Sequence, residues 1–376
     1  MKSNFRVLYS IPILAMLLMG CAPQTPTPTP TPITTPTQEA IMTPSPSTPV
    51  ENFLPLPPLQ PIEPENAENV QLLRTLELPG FKTAALSQCS VTFSRDGNLL
   101  TGVCYQNAIP IWSIQSGELL FTLDPAAPQE EAVAFNSAGD LPATGEYTTG
   151  IRLWDTHTGE LITTFNTPSS PVWDLAFSPS GEQLVSANLN AFSSLKTVPI
   201  QLWDSVSGKL IWGYPKDQTD LLALSVDYAP DGNTLACGTF DSVVILDAEK
   251  GQMLQTLPVP SHVGDVAFSP DGSMLAAGSD DHRIRIWSMD DYKLLATLEG
   301  HTGYVNGVAF NPDGRLLASG GHDKTVNLWD AHSGQLLATL SGHTAPVLRV
   351  AVDPSGKLIA SISWDGTIRL WGIAQP

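Results

Sequence analysis

The chain has 376 residues, of which 15% are charged, and 37 acidic against 18 basic residues leave a formal net charge of −19. That balance excludes a nucleic-acid binder, which needs a basic face to neutralise phosphate, and electrostatic docking on an anionic membrane. The length admits two average domains or one large repeat array, and the negative charge serves solubility.

At the N-terminus, Lys2 and Arg6 precede an apolar run from Val7 to Met19. A basic start before an apolar stretch of this length predicts a secretory signal, too short to span a bilayer. The run ends in "LLMGC", Leu17 to Cys21. These residues resemble the bacterial lipobox: Leu18 stands three places before the cysteine and Gly20 immediately before it, while Met19 replaces the usual small residue. The resemblance implies removal of residues 1–20 as a lipoprotein signal peptide and acylation of the Cys21 sulfur. The mature chain would then be exported and held by lipid on the outer face of the bacterial cell membrane or outer membrane.

From Ala22 to about Glu65 the text is dominated by Thr, Ser and Pro, and this stretch holds 14 of the 33 prolines. Proline fixes φ and removes donors, so residues 21–70 are expected to be a disordered, extended stalk at roughly 3 Å per residue. Its composition suits O-glycosylation.

Residues 71–376 repeat themselves. Trp112, Trp154, Trp203, Leu246, Trp287, Trp329 and Trp371 fall at intervals of 42, 49, 43, 41, 42 and 42 residues. Ahead of each lies an alternating apolar stretch, a Pro-Asp-Gly or Ser-Gly turn and a second alternating stretch, as in "VAFNPDGRLL". Period-two alternation predicts strands, and proline with glycine supplies the turn chemistry. After the tryptophan, segments such as "DAHSGQLLATL" add another glycine-centred turn and strand. Each unit is therefore four short antiparallel strands. One unit cannot bury both faces of its sheet, whereas a ring of units can.

Period and signature resemble the WD-repeat family of β-propellers. Trp154-Asp155, Trp203-Asp204 and Trp329-Asp330 carry the pair that gives the family its name. The resemblance implies an all-β fold: a seven-bladed β-propeller of four-stranded antiparallel blades over residues 71–376. The last unit ends five residues after Trp371, so it lacks an outer strand, and "QLLRTLEL" at Gln71 to Leu78 matches that missing strand. The N-terminal strand is expected to close the seventh blade, leaving no open sheet edge.

In the family, a histidine, a serine, an aspartate and the tryptophan form one buried hydrogen-bonded chain. His301, Ser319, Asp323 and Trp329 have the same spacings (18, 4 and 6 residues) as His343, Ser361, Asp365 and Trp371. Because the set recurs with the fold, it is read as structural rather than catalytic or metal-binding. Cys237 and Ala277 stand where serine belongs in two other units. Cys89 and Cys104 fall on neighbouring strands of the first blade. Their repeat equivalents, Asn306 and Gly321, are offset by one cross-strand step, so a disulfide between them stays open.

No catalytic or phosphate-binding motif appears, and no metal or cofactor is expected. Asp280-Asp281-His282 and Asp290-Asp291 fall at turns and are read as solvated. Two functions from different classes follow: a protein-binding scaffold, or a small-ligand sensor or enzyme using the central channel. The scaffold is preferred, with a monomeric propeller and a protein or peptide partner. In the family, binding uses the loops between outer and inner strands and the turns between second and third strands. Carried over, the solvent-facing rim residues are Tyr105, Glu131, Tyr147, Trp173, Asp280, Tyr304, Asn306, His322 and Trp364, rich in the aromatics that interfaces use. The insertion from Asn188 to Pro199 is expected to project from the same rim.

Overall fold

The structure, a computed structural model, describes residues 55–375 except 82–87, 105–107, 124–129, 147–149, 166–170, 189–197 and 216–220. Seven antiparallel sheets follow one another around a ring, six of them formed by consecutive strands. Blade 1 covers residues 89–123, blade 2 130–165, blade 3 172–214, blade 4 225–258, blade 5 263–299, blade 6 305–340 and blade 7 347–374.

Blade 6 shows why the sequence folds this way. Its inner strand Val305–Phe310, second strand Leu316–Gly321, third strand Val326–Asp330 and outer strand Leu336–Leu340 pair in that order. The second strand is buried throughout, because neighbouring blades cover both faces, and it contains no charged residue. The outer strand is partly exposed, with only Leu340 buried. Between the inner and second strands, Gly314 takes φ 74°, and its equivalents in all seven blades are also glycines with positive φ. An L side chain is strained there. Between the third and outer strands, Asp330 accepts the Ser333 N–H at 2.7 Å, closing the turn with its own carboxylate.

The tryptophans fill the wedges between blades. Trp329 packs with Met274, Ile286 and Leu298 of blade 5 and is 1% exposed. Full burial of such a ring is a large hydrophobic contribution, about 2–3 kcal/mol. In blade 4 the same position is Leu246, also fully buried.

Gln71–Glu77 pairs antiparallel with the last strand, Thr367–Ala374, with Gln71 opposite Gly372 and Glu77 opposite Thr367. The seventh blade is thus completed from the N-terminus. One boundary needs correction. Residues 55–70, expected within the stalk, belong to the propeller unit, which starts at Pro55. Leu59–Gln60 continues the pairing to Ala374 and Ile373, and a 3-10 helix spans Pro64–Asn69. Ile62, Ala67 and Val70 are buried against the core of blades 6 and 7. The Ile62 N–H donates to Gly356 O at 2.8 Å, Leu56 N–H to Gln115 O at 3.3 Å, and Arg315 pairs with Glu65. Proline richness hid this strap, because a chain lacking its own ladder can still be held by apolar anchors and a few donated bonds. All three partners lie in turns joining inner to second or third to outer strands. The strap therefore lies on one end of the ring, which we call the turn face. The loops between blades and the turns between second and third strands lie on the other, the loop face.

Candidate functional site

Three features of the propeller bring polar or aromatic side chains together. The first is the repeated network. The Trp329 Nε1–H, a donor only, donates a hydrogen bond to Ser319 Oγ at 2.8 Å. The serine hydroxyl then donates to His301 Nε2 at 2.8 Å, and in the neutral ring the Nδ1–H donates to Asp323 at 2.9 Å. Trp371, Ser361, His343 and Asp365 repeat the chain, each step at 2.8 Å. Burial alone would raise the two carboxyls. The histidine hydrogen bonds, the Thr302 and Thr344 N–H groups and the Thr325 and Thr367 hydroxyls outweigh it, holding both carboxyls well below the usual range. Every polar atom named here is paired within the fold, and each set joins an interblade loop to the following turn.

The second feature lies where the inner strands converge. Arg349, from blade 7, reaches across the ring. Its Nη1 donates to Gly264 O of blade 5 at 3.1 Å and to Asn306 O of blade 6. Its Nη2 lies 3.8 Å from Asp174 of blade 3 and its Nε 3.9 Å from Asp265 of blade 5. The carboxylates tie adjacent inner strands together. Asp174 accepts the Val226 N–H at 3.1 Å, Asp227 the Phe268 N–H at 2.8 Å, and Asp265 the Val308 N–H at 2.9 Å. Burial pushes the Asp227 carboxyl up to about 7, with the Asp265 and Asp174 charges adding to it. Asp174 and Asp265 are raised by burial too, against the pull of Arg349. These residues escaped the sequence reading. The signal was an aspartate inside apolar strand text, "VWDLAF" and "VGDVAF", at the position where blade 7 carries Arg349.

The third feature is on the loop face. The His282 and Tyr304 ring centroids are 5.7 Å apart, Tyr304 and His322 5.1 Å, and His322 and Trp364 5.3 Å. These rings form one arc over blades 5, 6 and 7, carried by three turns between second and third strands and by the loop between blades 5 and 6. Beside it, Phe240 meets the edge of His262 at 4.1 Å, and His262 Nδ1 lies 3.0 Å from Asp280. Burial lowers the His322 pKa, opposed by the charges of Asp280 and Asp323, so its ring is neutral at pH 7.

Of the rim residues expected in solvent, Asp280, Tyr304, Asn306, His322 and Trp364 are half-buried. Asp280, Tyr304, His322 and Trp364 are partnered as described. Trp173 is a correction: it is 6% exposed. It occupies a bulge between Val172 and Asp174 of an inner strand. Inner strands lie where the blades converge, so a large ring there is enclosed. Cys21, Tyr105 and Tyr147 lie outside the described residues, as do the Glu131 side chain and residues 189–197 of the insertion. His262 and His282 were missed. His262 occupies the repeat position of Tyr304, so the rule that selects one selects the other. Cys89 and Cys104 are disulfide-bonded. Blade 6 bulges between Val305 and Gly307, whereas blade 1 pairs Cys89 directly opposite Cys104 without a bulge. The expected offset is thereby removed.

Seven four-stranded blades, closed by an N-terminal strand and braced by the Trp–Ser–His–Asp network, define a WD-type β-propeller. The family model described as WD domain, G-beta repeat matches residues 159–192, 251–288, 292–330 and 334–372, and that of the Anaphase-promoting complex subunit 4 WD40 domain matches residues 200–263. The chain belongs to the WD-repeat family. It is 39% identical over 77 residues, 20% of its length, to WD repeat-containing protein 3 homolog of Dictyostelium discoideum, covering 8% of that protein. It is 32% identical over 133 residues, 33% of its length, to WD repeat-containing protein SL1-17 of Schistosoma mansoni, covering 38% of that protein. With Echinoderm microtubule-associated protein-like 2 of Rattus norvegicus it shares 26% identity over 140 residues, 36% of this chain and 20% of the relative. The chain thus spans well under two thirds of the length of these relatives.

Proposed function

We propose that this protein is a membrane-tethered, extracytoplasmic scaffold that binds a protein or peptide partner through the loop face of its propeller. The observation that carries the reading is the arc His282–Tyr304–His322–Trp364, an exposed ring followed by three adjoining half-buried ones on one face. Aromatic rings offer large contact area for little rotamer entropy, which is why interfaces concentrate them. Propellers of this family are typically protein-interaction scaffolds, which favours the same use. The alternative, a small ligand in the channel, is disfavoured by Arg349, which reaches in among the converging inner strands and is engaged by groups from three other blades.

The tether rests on the sequence from Lys2 to Cys21. The strap that begins at Pro55 is fastened to the turn face. Cys21→Ser should abolish processing and shift the protein from the membrane fraction to the soluble one; unchanged detergent partitioning would remove the anchor from the proposal. Affinity capture with the full chain from native membranes tests the scaffold. A partner retained by the wild type and lost with Tyr304→Ala supports it, and a turnover activity indifferent to Tyr304 argues for an enzyme.

A further inference from the structure

We propose that the arc recognises a cation: an extended protein segment that lays an arginine or lysine side chain across Tyr304, His322 and Trp364, with Asp280 as the counter-charge. The inference rests on the loop-face reading and adds the chemistry of the partner.

The geometry supplies a cation's requirements on one face. Tyr304 stands between His282 and His322, and His322 adjoins Trp364. Ring faces of Tyr and Trp attract cations through their quadrupoles, and a planar guanidinium stacks on them as well. The ring between them would repel a cation if it were charged, but burial keeps His322 neutral at pH 7. A carboxylate is at hand. Asp280 sits in the turn that also carries His282, and its charge reaches His322. Asp280 is held at 3.0 Å by His262, which fixes its direction while leaving it 19% exposed.

The other charges of these turns are mostly engaged. Arg283 faces Glu299 at 2.9 Å, Arg285 faces Asp281 at 2.6 Å, and Asp323 belongs to the His301 network. Lys324 is exposed in the next turn, in the left-handed conformation at φ 72°, and is the charge that opposes a basic ligand. The net charge of −19 steers a cationic segment toward the molecule and an acidic one away. An apolar segment would make less of the arc, since two of its four rings are imidazoles and a carboxylate adjoins it.

The test is selection of a displayed library of random peptides on the full chain, followed by affinity measurement with the selected peptides made synthetically. Selected peptides should carry arginine or lysine, and replacing that residue with glutamine should weaken binding by about tenfold or more. Asp280→Asn should weaken the basic peptide comparably and leave the glutamine version unaffected, while Lys324→Glu should tighten the basic peptide. Trp364 also packs against the first-to-seventh blade core. Tyr304→Leu is therefore the second arc variant, with its melting temperature measured alongside. Selected peptides without a basic residue, basic peptides indifferent to Asp280, or no selected peptide at all would each overturn the inference. Peptides that bind through the arc without a basic residue would spare the loop-face reading. Peptides indifferent to Tyr304→Leu would overturn the inference and remove the loop-face reading as well.

Discussion

Asp323 and Asp227 are both half-buried aspartates, one in a turn and one in a strand of the propeller, and their surroundings drive them in opposite directions. Asp323 has a histidine, an amide and a hydroxyl donating to it, so its charged form is the stable one. Asp323→Ala leaves His301 and the Thr302 N–H without their acceptor and should cost about 1–3 kcal/mol in denaturant unfolding. Partner affinity should be unchanged, and a stable variant that had lost only binding would make Asp323 a contact residue. Asp227 accepts two backbone N–H groups but faces two further carboxylates, with Arg349 paired elsewhere. Its folded pKa, about 7, lies above the unfolded value of about 3.9. Stability from such a raised carboxyl is present in acid and lost as pH rises through the folded value. The melting temperature should therefore fall between about pH 5 and about pH 7, and Asp227→Asn should reduce that slope, Asp265 supplying the remainder, whatever it does to absolute stability. A wild-type curve that rises over the same interval would contradict the account. The network aspartates titrate far lower and contribute nothing in this window. Asp323 was legible because its spacing recurs in two units. Asp227 was not, because on its own strand it stands two places beyond the repeat position of Asp174 and Asp265, where the other blades carry no aspartate.

The elements were legible wherever a repeat could be laid beside another. The turn glycines, the alternating strands and the closing match between Gln71–Leu78 and the outer strands are local patterns, and local patterns survive without a partner on the page. The strap was not legible. Its anchors Ile62, Ala67 and Val70 have meaning only against blades 6 and 7, and proline-rich text carries no periodicity. Trp173 failed for the same reason, since a bulge and the convergence of the inner strands decide its burial. Closure makes a strong prediction at this scale. A chain starting at Thr83 exposes the edge of Thr367–Ala374 over its pairing with Gln71–Glu77, and open edges of this kind promote aggregation. A chain starting at Gln71 keeps that pairing and loses only the strap, so it should stay monomeric and melt at a lower temperature than one starting at Pro55. Equal melting of all three in a scanning calorimeter, without aggregation, would show that neither segment closes the ring.

At the scale of the whole molecule, the two faces of the ring differ. The turn face takes the strap and so fixes where the chain enters the propeller. The loop face carries the rings that the turns between second and third strands bring together from three blades. Fold class followed from the repeats, whereas the choice of this face for binding was carried over from the family resemblance. That the rings adjoin one another followed from neither, because contact between turns of different blades depends on the curvature of the ring rather than on any spacing within a unit. The central claim is that this arc, and not the channel, carries binding. The most direct measurement is the equilibrium affinity of a partner captured from native membranes for the wild type, for Tyr304→Ala and for Arg349→Met, each checked for folding by its melting curve. The account predicts that Tyr304→Ala weakens binding about tenfold or more, roughly 1.4 kcal/mol, with near-normal melting. Arg349→Met should lower the melting temperature and leave the affinity of the folded fraction as it was. Normal affinity for Tyr304→Ala together with lost affinity for folded Arg349→Met would contradict the account and place the site in the channel.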